Sequence, residues 1–318
     1  ELQNVAVKDL LKQAYKASKA TDLNYVKDAF LDFCKNQTLK GALMKSVDLL
    51  ELGDYDDIRN LIDRALKAGT ERDIGHEYIT ELEDRFREEA RSVIETPWPL
   101  INKLLCGGLG QGDLGLIAGG PGGGKSWTLV AIGAHAVRLG YTVIHYTLEL
   151  NEKYVGRRYD ANFTGISVSE ITEHKDEVKE KIEGLRGGLY IREYPAGQIT
   201  VNTIHSHLER CKQQNIEPDL VIIDYADLLT SKGIKEKRDK LDDIFTNLRG
   251  LATEMKIPIW TASQVNRAGS REEIIQGDRI AESYTKMMIT DFAMSLSRSA
   301  EDKENGTGRW HIMKNRYG

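Results

Sequence analysis

The sequence "GGPGGGKS", residues Gly119–Ser126, is the most informative segment of this chain. It fits the pattern G-x-x-x-x-G-K-S/T, in which glycines let the backbone N–H groups turn toward an anion. The apolar run "LGLIA" (114–118) precedes the loop, and "WTLVAIGAHAVRLG" (127–140) follows it with a helical pattern. A strand before and a helix after are the context of a phosphate-binding loop, so the sequence predicts a nucleotide site at this turn.

Two side chains at the end of this loop have predicted roles beyond the backbone cradle. Lys125 is expected to hold β- and γ-phosphate oxygens, and Ser126 to ligate Mg²⁺. ATP and Mg²⁺ are therefore the predicted cofactors. The other predicted nucleotide-binding residues are Gly119, Gly120, Pro121, Gly122, Gly123, Gly124 and Trp127.

Polar side chains at three other strand ends are candidates for the same site. Asp224 follows the apolar run "LVII" (220–223), as a Mg²⁺-binding carboxylate would. Glu149 ends "VIHYTLE" and would lie beside the phosphates if its strand neighbours the loop strand. Glu152 is the competing carboxylate, although a solvated residue at a helix start is the simpler interpretation. Gln264 ends "IWTASQ" and either contacts the γ-phosphate or simply leaves its strand.

The order of elements predicts an α/β fold with a mostly parallel sheet and a C-terminal hairpin. Short apolar runs alternate with helical segments after the helix-breaking "TPWP" (96–99), and a final pair of strands flanks "AEDKENGTG" (300–308). Before that break the pattern is helical. The predicted domains are a small all-α region at 1–70, a linker helix and linker at 71–96, and a nucleotide-binding domain at 97–318.

Composition narrows the class of protein. A hydrophobic share of 40% and a charged share of 29% fit a globular domain, and no apolar run approaches the ~18 residues of a membrane span. A net charge of -5 argues against a surface coated with DNA-binding cations but allows a local basic channel. Three scattered cysteines favour a reducing cytoplasm. Residue 1 is Glu rather than Met, so we expect a longer parent chain.

Several stretches together resemble one known family. "YTLELNEKYVGRR", "VIIDYADLL", "ASQVNR", "AES" and "KNR-G", with their spacing, are similar to the motor domain of DnaB-type hexameric replicative helicases from about Pro97 to the end. The resemblance implies a RecA-like P-loop NTPase core assembled as a ring, with ATP between subunits. Helices at 54–68 and 74–90 more weakly resemble the family's last N-terminal helix and linker helix, and the short N-terminal part favours a phage or mobile element.

The resemblance also implies roles for individual residues. Glu149 becomes the general base, Asp224 the Mg²⁺ carboxylate and Gln264 the γ-phosphate sensor. Lys314 and Arg316 match cations that reach into the ATP site of the next subunit, with Arg316 as the arginine finger and Lys314 as its companion on the same face of one strand. Without the resemblance, two solvent-facing charges on an edge strand would be the simpler interpretation.

Two segments are the predicted DNA-binding loops, because they combine cations with a position after strands that flank the nucleotide. They are "TSKGIKEKRDK" (230–240) and "NRAGSREEIIQGDRIAES" (266–283), although interleaved acidic residues also fit ordinary solvated charge. The family usually has Arg where this chain has Ala281, and Gly where it has Tyr284, so the identity of the contacts stays open. The predicted DNA-binding residues are Lys232, Lys235, Lys237, Arg238, Arg267, Arg271, Arg279 and Glu282.

The function expected from these features is an ATP-dependent replicative DNA helicase. It would form a homo-hexamer, move 5′–3′ on single-stranded DNA, unwind a forked duplex, and work with a primase and a helicase loader in the cytoplasm of a bacterium or an infected cell. Two alternatives share the ATPase core: a recombinase filament, which "DYADLL" and "SQVNR" disfavour, and a non-motor nucleotide-gated scaffold. DNA stimulation of ATP hydrolysis separates a motor from a scaffold.

Overall fold

The computed structural model describes residues 23–51, 58, 61–62, 65, 78–79, 92–234, 236–265 and 285–318. Contacts divide the chain into two units, Glu1–Arg87 and Glu88–Gly318. In the first unit, helix α1 spans Leu23–Glu51, so the helical prediction is confirmed there. The helices predicted at 54–68 and 74–90 lie almost wholly outside the described residues, and the three domain boundaries stay predictions.

A seven-stranded sheet organises the second unit. Its strand order is β5-β4-β6-β7-β3-β8-β9, and every neighbouring pair is parallel except the antiparallel β8–β9. The strands are β3 (Leu114–Gly119), β4 (Val143–Thr147), β5 (Leu189–Glu193), β6 (Leu220–Asp224), β7 (Ile259–Gln264), β8 (Phe292–Ser297) and β9 (Arg309–Asn315). A separate antiparallel pair joins β1 (Val93–Ile94) to β2 (Leu109–Gly110).

Helices connect these strands and cover the sheet. They are α2 (Pro99–Leu104), α3 (Lys125–Leu139), α4 (Glu152–Thr164), α5 (Lys175–Glu183), α6 (Val201–Gln213), α7 (Lys237–Met255), α8 (Thr285–Ile289) and α9 (Ala300–Glu304). Local chemistry sets several of their ends. Pro99 suits the first turn of α2, and a reciprocal cap between Thr200 and Thr203 starts α6.

The core lies on both faces of the sheet, as the apolar runs require. Along β6, Val221 and Ile223 pack with α6 and α7 in one buried cluster, whereas Leu220 and Ile222 pack with α3 and α4 in another. Successive side chains of a strand point to opposite faces, so a continuous apolar run is what a doubly covered strand needs. The result is a three-layer arrangement with the sheet in the middle.

The predicted fold class is confirmed, with one difference of detail. The five predicted strands are β3 to β7, and β8 and β9 form the predicted antiparallel pair, but α9 occupies their connection where the sequence indicated only a hairpin. β4 does not neighbour β3, because β6 and β7 lie between them. Within the described part of the chain, no helix combines the length and apolar character that crossing a bilayer requires.

Candidate nucleotide site

The glycine-rich loop leaves the carboxyl end of β3 and enters α3 at Lys125. Gly124 precedes the helix with φ +102, a conformation that side chains with a Cβ rarely adopt. The Lys125 Nζ donates to the carbonyl oxygens of Gly119 and Gly120, both at 3.0 Å, so the ammonium lies within the curl of the loop. Burial lowers the pKa of Lys125, and the nearby carboxylate of Asp224 opposes that shift.

Ser126 and Asp224 meet beside this loop. The Asp224 side chain is 1% exposed, its carboxylate accepts a hydrogen bond from the Ser126 hydroxyl, and its Oδ1 has no hydrogen-bond partner among the described residues. Burial raises the pKa of Asp224, whereas the bond from Ser126 lowers it. A hydroxyl and an unpartnered carboxylate oxygen are hard donors that suit Mg²⁺, an ion that takes most of its ligands from water and phosphate. The two residues therefore fit the ion.

Glu149 reaches the same site from further away than the sequence indicated. The condition that its strand neighbours the loop strand is not met, because β4 lies three strand positions from β3, about 14 Å at the usual spacing. Glu149 nevertheless follows the end of β4 with an exposed side chain, and its charge raises the pKa values of both Lys125 and Asp224. Glu152 instead begins α4, where its backbone N–H donates to Glu193 at 3.2 Å.

Gln264 lies directly alongside the loop, since β7 neighbours β3 and pairs Gln264 with Gly119. Its Nε2 donates to the Tyr225 hydroxyl at 3.0 Å, and its backbone N–H donates to Asp227 Oδ2 at 3.3 Å. Burial, followed by the neighbouring Glu149, raises the pKa of Tyr225 to about 12. The Tyr225 hydroxyl therefore keeps its proton near neutral pH. Tyr225 directly follows Asp224 in the chain.

Trp127 is the outermost of the predicted nucleotide-binding residues. Its side chain is 43% exposed, and the Arg158 guanidinium lies over its ring at 5.1 Å and over the ring of Tyr154 at 5.3 Å. The attraction between a guanidinium and an aromatic face favours this orientation of the Arg158 side chain. Arg158 also lowers the pKa of Asp224, so its charge acts on the predicted metal site.

Lys314 and Arg316 lie at the opposite end of the sheet from the loop. Lys314 belongs to β9, but that strand ends at Asn315, so the prediction that both cations lie on one strand is wrong for Arg316 by one residue. The Lys314 Nζ donates to the Met288 carbonyl, and Arg316 forms an ion pair with Asp291. Burial and then the charge of Arg316 lower the pKa of Lys314, which shows that the two cations are close.

The contacts of Asp291 define where Arg316 lies relative to the glycine-rich loop. Its carboxylate is fully buried, and it accepts from the backbone N–H of Leu114 at 2.9 Å and from the Arg249 Nε at 2.7 Å. Leu114 is the first residue of β3, whereas the loop begins at the last. Six residues of strand span about 17 Å, so Arg316 does not reach the loop of its own chain.

The predicted DNA-binding residues fall into two groups. Lys232, Lys237 and Arg238 are exposed, and the latter two open α7, where the helix dipole disfavours positive charge. The remaining residues, Lys235, Arg267, Arg271, Arg279 and Glu282, lie outside the described part of the structure.

Comparison with known families assigns the domain around this site. The model of the DnaB-like helicase C-terminal domain matches residues 94–318. The chain belongs to this family. The DnaB-like domain therefore includes the loop, Asp224, Gln264 and the two C-terminal cations in one matched segment.

The descriptions of individual relatives agree with the family assignment. A DnaB-like replicative helicase of enterobacteria phage T4 is 27% identical over 283 residues, which cover 84% of this chain and 60% of the phage protein. A probable plasmid replicative DNA helicase of Chlamydia trachomatis is 30% identical over half of this chain and 36% of its own length. The chain thus spans three fifths or less of these relatives.

Solved structures confirm the RecA-like fold of the DnaB-like domain. One solved ATPase domain has a TM-score of 0.65 and 18% identity, covering 77% of this chain and 93% of its own. A DnaB-like replicative helicase whose interactions with primase were described has a TM-score of 0.63 and 16% identity, covering 93% of this chain and 75% of its own.

Sequence reasoning missed several residues that lie around the candidate site in the DnaB-like domain. Tyr225 and Asp227 follow Asp224 within the quoted "DYAD", so their closeness to a strand end was the available signal. Arg158 lies in the helical stretch after Glu149, where no pattern distinguishes it from its neighbours. Lys286, which is fully buried and bonded to Asp227, gave no signal, because a lone lysine in "YTKMMI" resembles a surface residue.

Proposed function

We propose that this chain contains the ATP-driven motor of a replicative DNA helicase. The full protein would form a homo-hexameric ring, move 5′–3′ along single-stranded DNA and unwind a forked duplex. The observation that carries the proposal is the convergence of a buried loop lysine, the Ser126–Asp224 pair, Glu149 and Gln264 at one end of the sheet, in a chain of the DnaB-like helicase family.

The loop would bind the triphosphate of ATP. Its amides and the positive end of α3 would face the phosphates, and Lys125 would hold the β- and γ-phosphates. Ser126 and Asp224 would hold Mg²⁺, which neutralises charge on the phosphates during transfer. The unpartnered Asp224 Oδ1 supports this role, because an orphaned buried carboxylate oxygen is costly without a ligand.

Glu149 would act as the general base that orients the attacking water. Its exposed carboxylate follows a strand end and interacts electrostatically with both Lys125 and Asp224. Gln264 would sense the γ-phosphate, since its strand borders the loop strand and its amide is held by the Tyr225 hydroxyl. Through Gln264, a change in the γ-phosphate would therefore be transmitted to the residues that follow it in the chain.

Arg316 and Lys314 would complete the ATP site of a neighbouring subunit. They lie about 17 Å from their own loop, and the Arg316 side chain is half exposed. In a head-to-tail ring each subunit presents one surface to the loop of the next. A guanidinium supplied in this way contributes about 10³–10⁵ in rate by stabilising charge on the transferring phosphate.

Single-stranded DNA would bind on the inner side of the ring through cations. Lys232, Lys237 and Arg238 are exposed after β6, and the other proposed contacts are Lys235, Arg267, Arg271, Arg279 and Glu282. Sequence-independent binding of this kind is strongly salt-dependent. A primase and a helicase loader are the proposed protein partners, and the cytoplasm is the proposed location.

A matched pair of variants tests the function. In the full-length protein, Glu149→Gln removes the base while keeping size, so ATP turnover and unwinding of a forked duplex should fall by about 100-fold or more. ATP binding should stay within about twofold of the unmodified protein. Glu152→Gln is the control, because that carboxylate begins α4, and both activities should stay near normal.

Four results would contradict the proposal. Unwinding that survives Glu149→Gln would remove the base from the mechanism. Rings that hydrolyse ATP but never separate a fork, even with a loader, would exclude a helicase. Filaments in electron microscopy would favour a recombinase, and ATP hydrolysis indifferent to single-stranded DNA would favour a scaffold.

A further inference from the structure

Lys286 is a fully buried lysine that none of the roles above uses. It lies on α8, and its Nζ donates to Asp227 Oδ1 at 3.0 Å and to Ser263 Oγ at 3.2 Å. The third side of the ammonium faces the Phe245 ring, whose centroid is 5.6 Å away. The charge is thus enclosed by one carboxylate, one hydroxyl and one aromatic face.

Asp227 extends this contact to the nucleotide site. Its second oxygen, Oδ2, accepts from the Ser263 hydroxyl at 2.9 Å and from the Gln264 backbone N–H at 3.3 Å. One carboxylate therefore joins Lys286 to the last two residues of β7. The Gln264 side chain is bonded in turn to Tyr225, so Gln264 is held both at its backbone and at its amide.

Stability alone gives little reason for this arrangement. Burying two charges costs desolvation free energy that their attraction barely offsets, and well-packed apolar residues of similar size often serve as well or better. What this ion pair adds is direction, because Lys286 holds one oxygen of the Asp227 carboxylate while the other oxygen accepts from Ser263 and Gln264. The charge of Asp227 also influences Lys125 and Tyr225 at the phosphate site.

We propose that Lys286 and Asp227 form a positioning pair for ATP hydrolysis. The pair holds the end of β7 so that the Gln264 amide keeps its place beside the phosphate loop. Neither residue touches the nucleotide, and both act through Gln264. This inference rests on the proposed ATPase function and adds to it a link between α8 and the sensor.

A double-mutant cycle in the full-length protein tests the link. Lys286→Met should lower kcat for ATP about tenfold or more, since small displacements of positioned groups are costly, while KM stays within about twofold. In a Gln264→Ala background the same change should lower kcat by less than about twofold, because the group it positions is gone.

Two further variants keep the test decisive. Lys286→Met leaves the largely buried Asp227 charged and without its cation, which can prevent folding. Combining it with Asp227→Asn removes both charges, and this neutral pair should show the same loss of kcat and the same dependence on Gln264. Lys179→Met breaks an exposed pair on α5, Lys179 to Glu183 at 3.8 Å, and should leave kcat unchanged.

The outcomes separate this inference from the proposed function. Equal fold losses of kcat with and without Gln264, or a folded neutral pair within twofold of normal kcat, would overturn the positioning role. A rise in KM with unchanged kcat would do the same. Failure of the unmodified protein to unwind DNA, with the cycle behaving as expected, would reject only the helicase function. Absence of ATP turnover in the unmodified protein would reject both.

Discussion

The proposed sharing of each ATP site between two subunits can be tested by mixing two inactive variants. Lys125→Ala disables the loop, and Arg316→Ala removes the guanidinium about 17 Å away at the other end of the sheet. The two changes therefore damage different sites of a ring. Arg316→Ala should still fold, because Asp291 keeps its bonds to Arg249 and to the Leu114 N–H.

The expected magnitude follows from the head-to-tail arrangement. An intact site needs its loop from an Arg316→Ala subunit and its guanidinium from a Lys125→Ala subunit. In a random equal mixture each condition holds for half of the positions, so about a quarter of the sites are complete. Each variant alone should lose about 10³-fold or more in rate, so a mixture near a quarter of normal turnover stands far above either parent.

The assay is steady-state ATP hydrolysis across mixing ratios, after dissociation and reassembly of the subunits. Turnover should peak at the equal mixture and fall to the parental values at both ends. The matched control mixes Lys125→Ala with the double variant Lys125→Ala/Arg316→Ala, which cannot form a complete site and should stay inactive. Turnover in the first mixture that equals the sum of its parents would refute the shared site, as would full activity of a stable monomer.

Two predictions concern stability. A Cβ on Gly115 would lie 2.5 Å from the buried Trp260 ring, so Gly115→Ala should lower the free energy of unfolding by about 1–3 kcal/mol in urea, whereas Gly250→Ala, in open space, should be neutral or stabilising. An unchanged urea midpoint for Gly115→Ala would contradict the close contact. Burial, with Arg158 as a second cause, lowers the pKa of His145 to about 3, so between that value and about 6.5 only the unfolded state takes up the proton. Stability should fall by about 2 kcal/mol from pH 7 to pH 5 through this residue, and His145→Gln should remove that part of the slope. A slope that persists in the variant would mean that other groups cause it.

The sequence predicted the parts of the site that depend on local pattern. A glycine-rich loop between a strand and a helix, and an aspartate after an apolar run, can be recognised because each is a few residues long. The strand order could not be recognised, since it depends on which runs pair across the sheet. The sequence therefore leaves open whether the strand before Glu149 borders the loop strand, and in the structure it does not.

Pairs distant in the chain escaped sequence reasoning altogether. Lys286 and Asp227 are 59 residues apart, and Arg316 and Asp291 are joined only because β9 returns antiparallel to β8. In both pairs one partner is a carboxylate with little or no exposure, and no local signal marks which acidic residue will be enclosed. Packing across the sheet decides that, after the strands have found their neighbours.

The ion pair between Arg316 and Asp291 has a consequence for ATP consumption in the cell. If the site is shared as proposed, an unassembled molecule would hold the Arg316 side chain at the far end of its sheet and would have no route to complete its own catalytic centre. ATP consumption would then scale with the number of subunit junctions rather than with the number of molecules. Surplus copies would stay idle until an assembly recruits them.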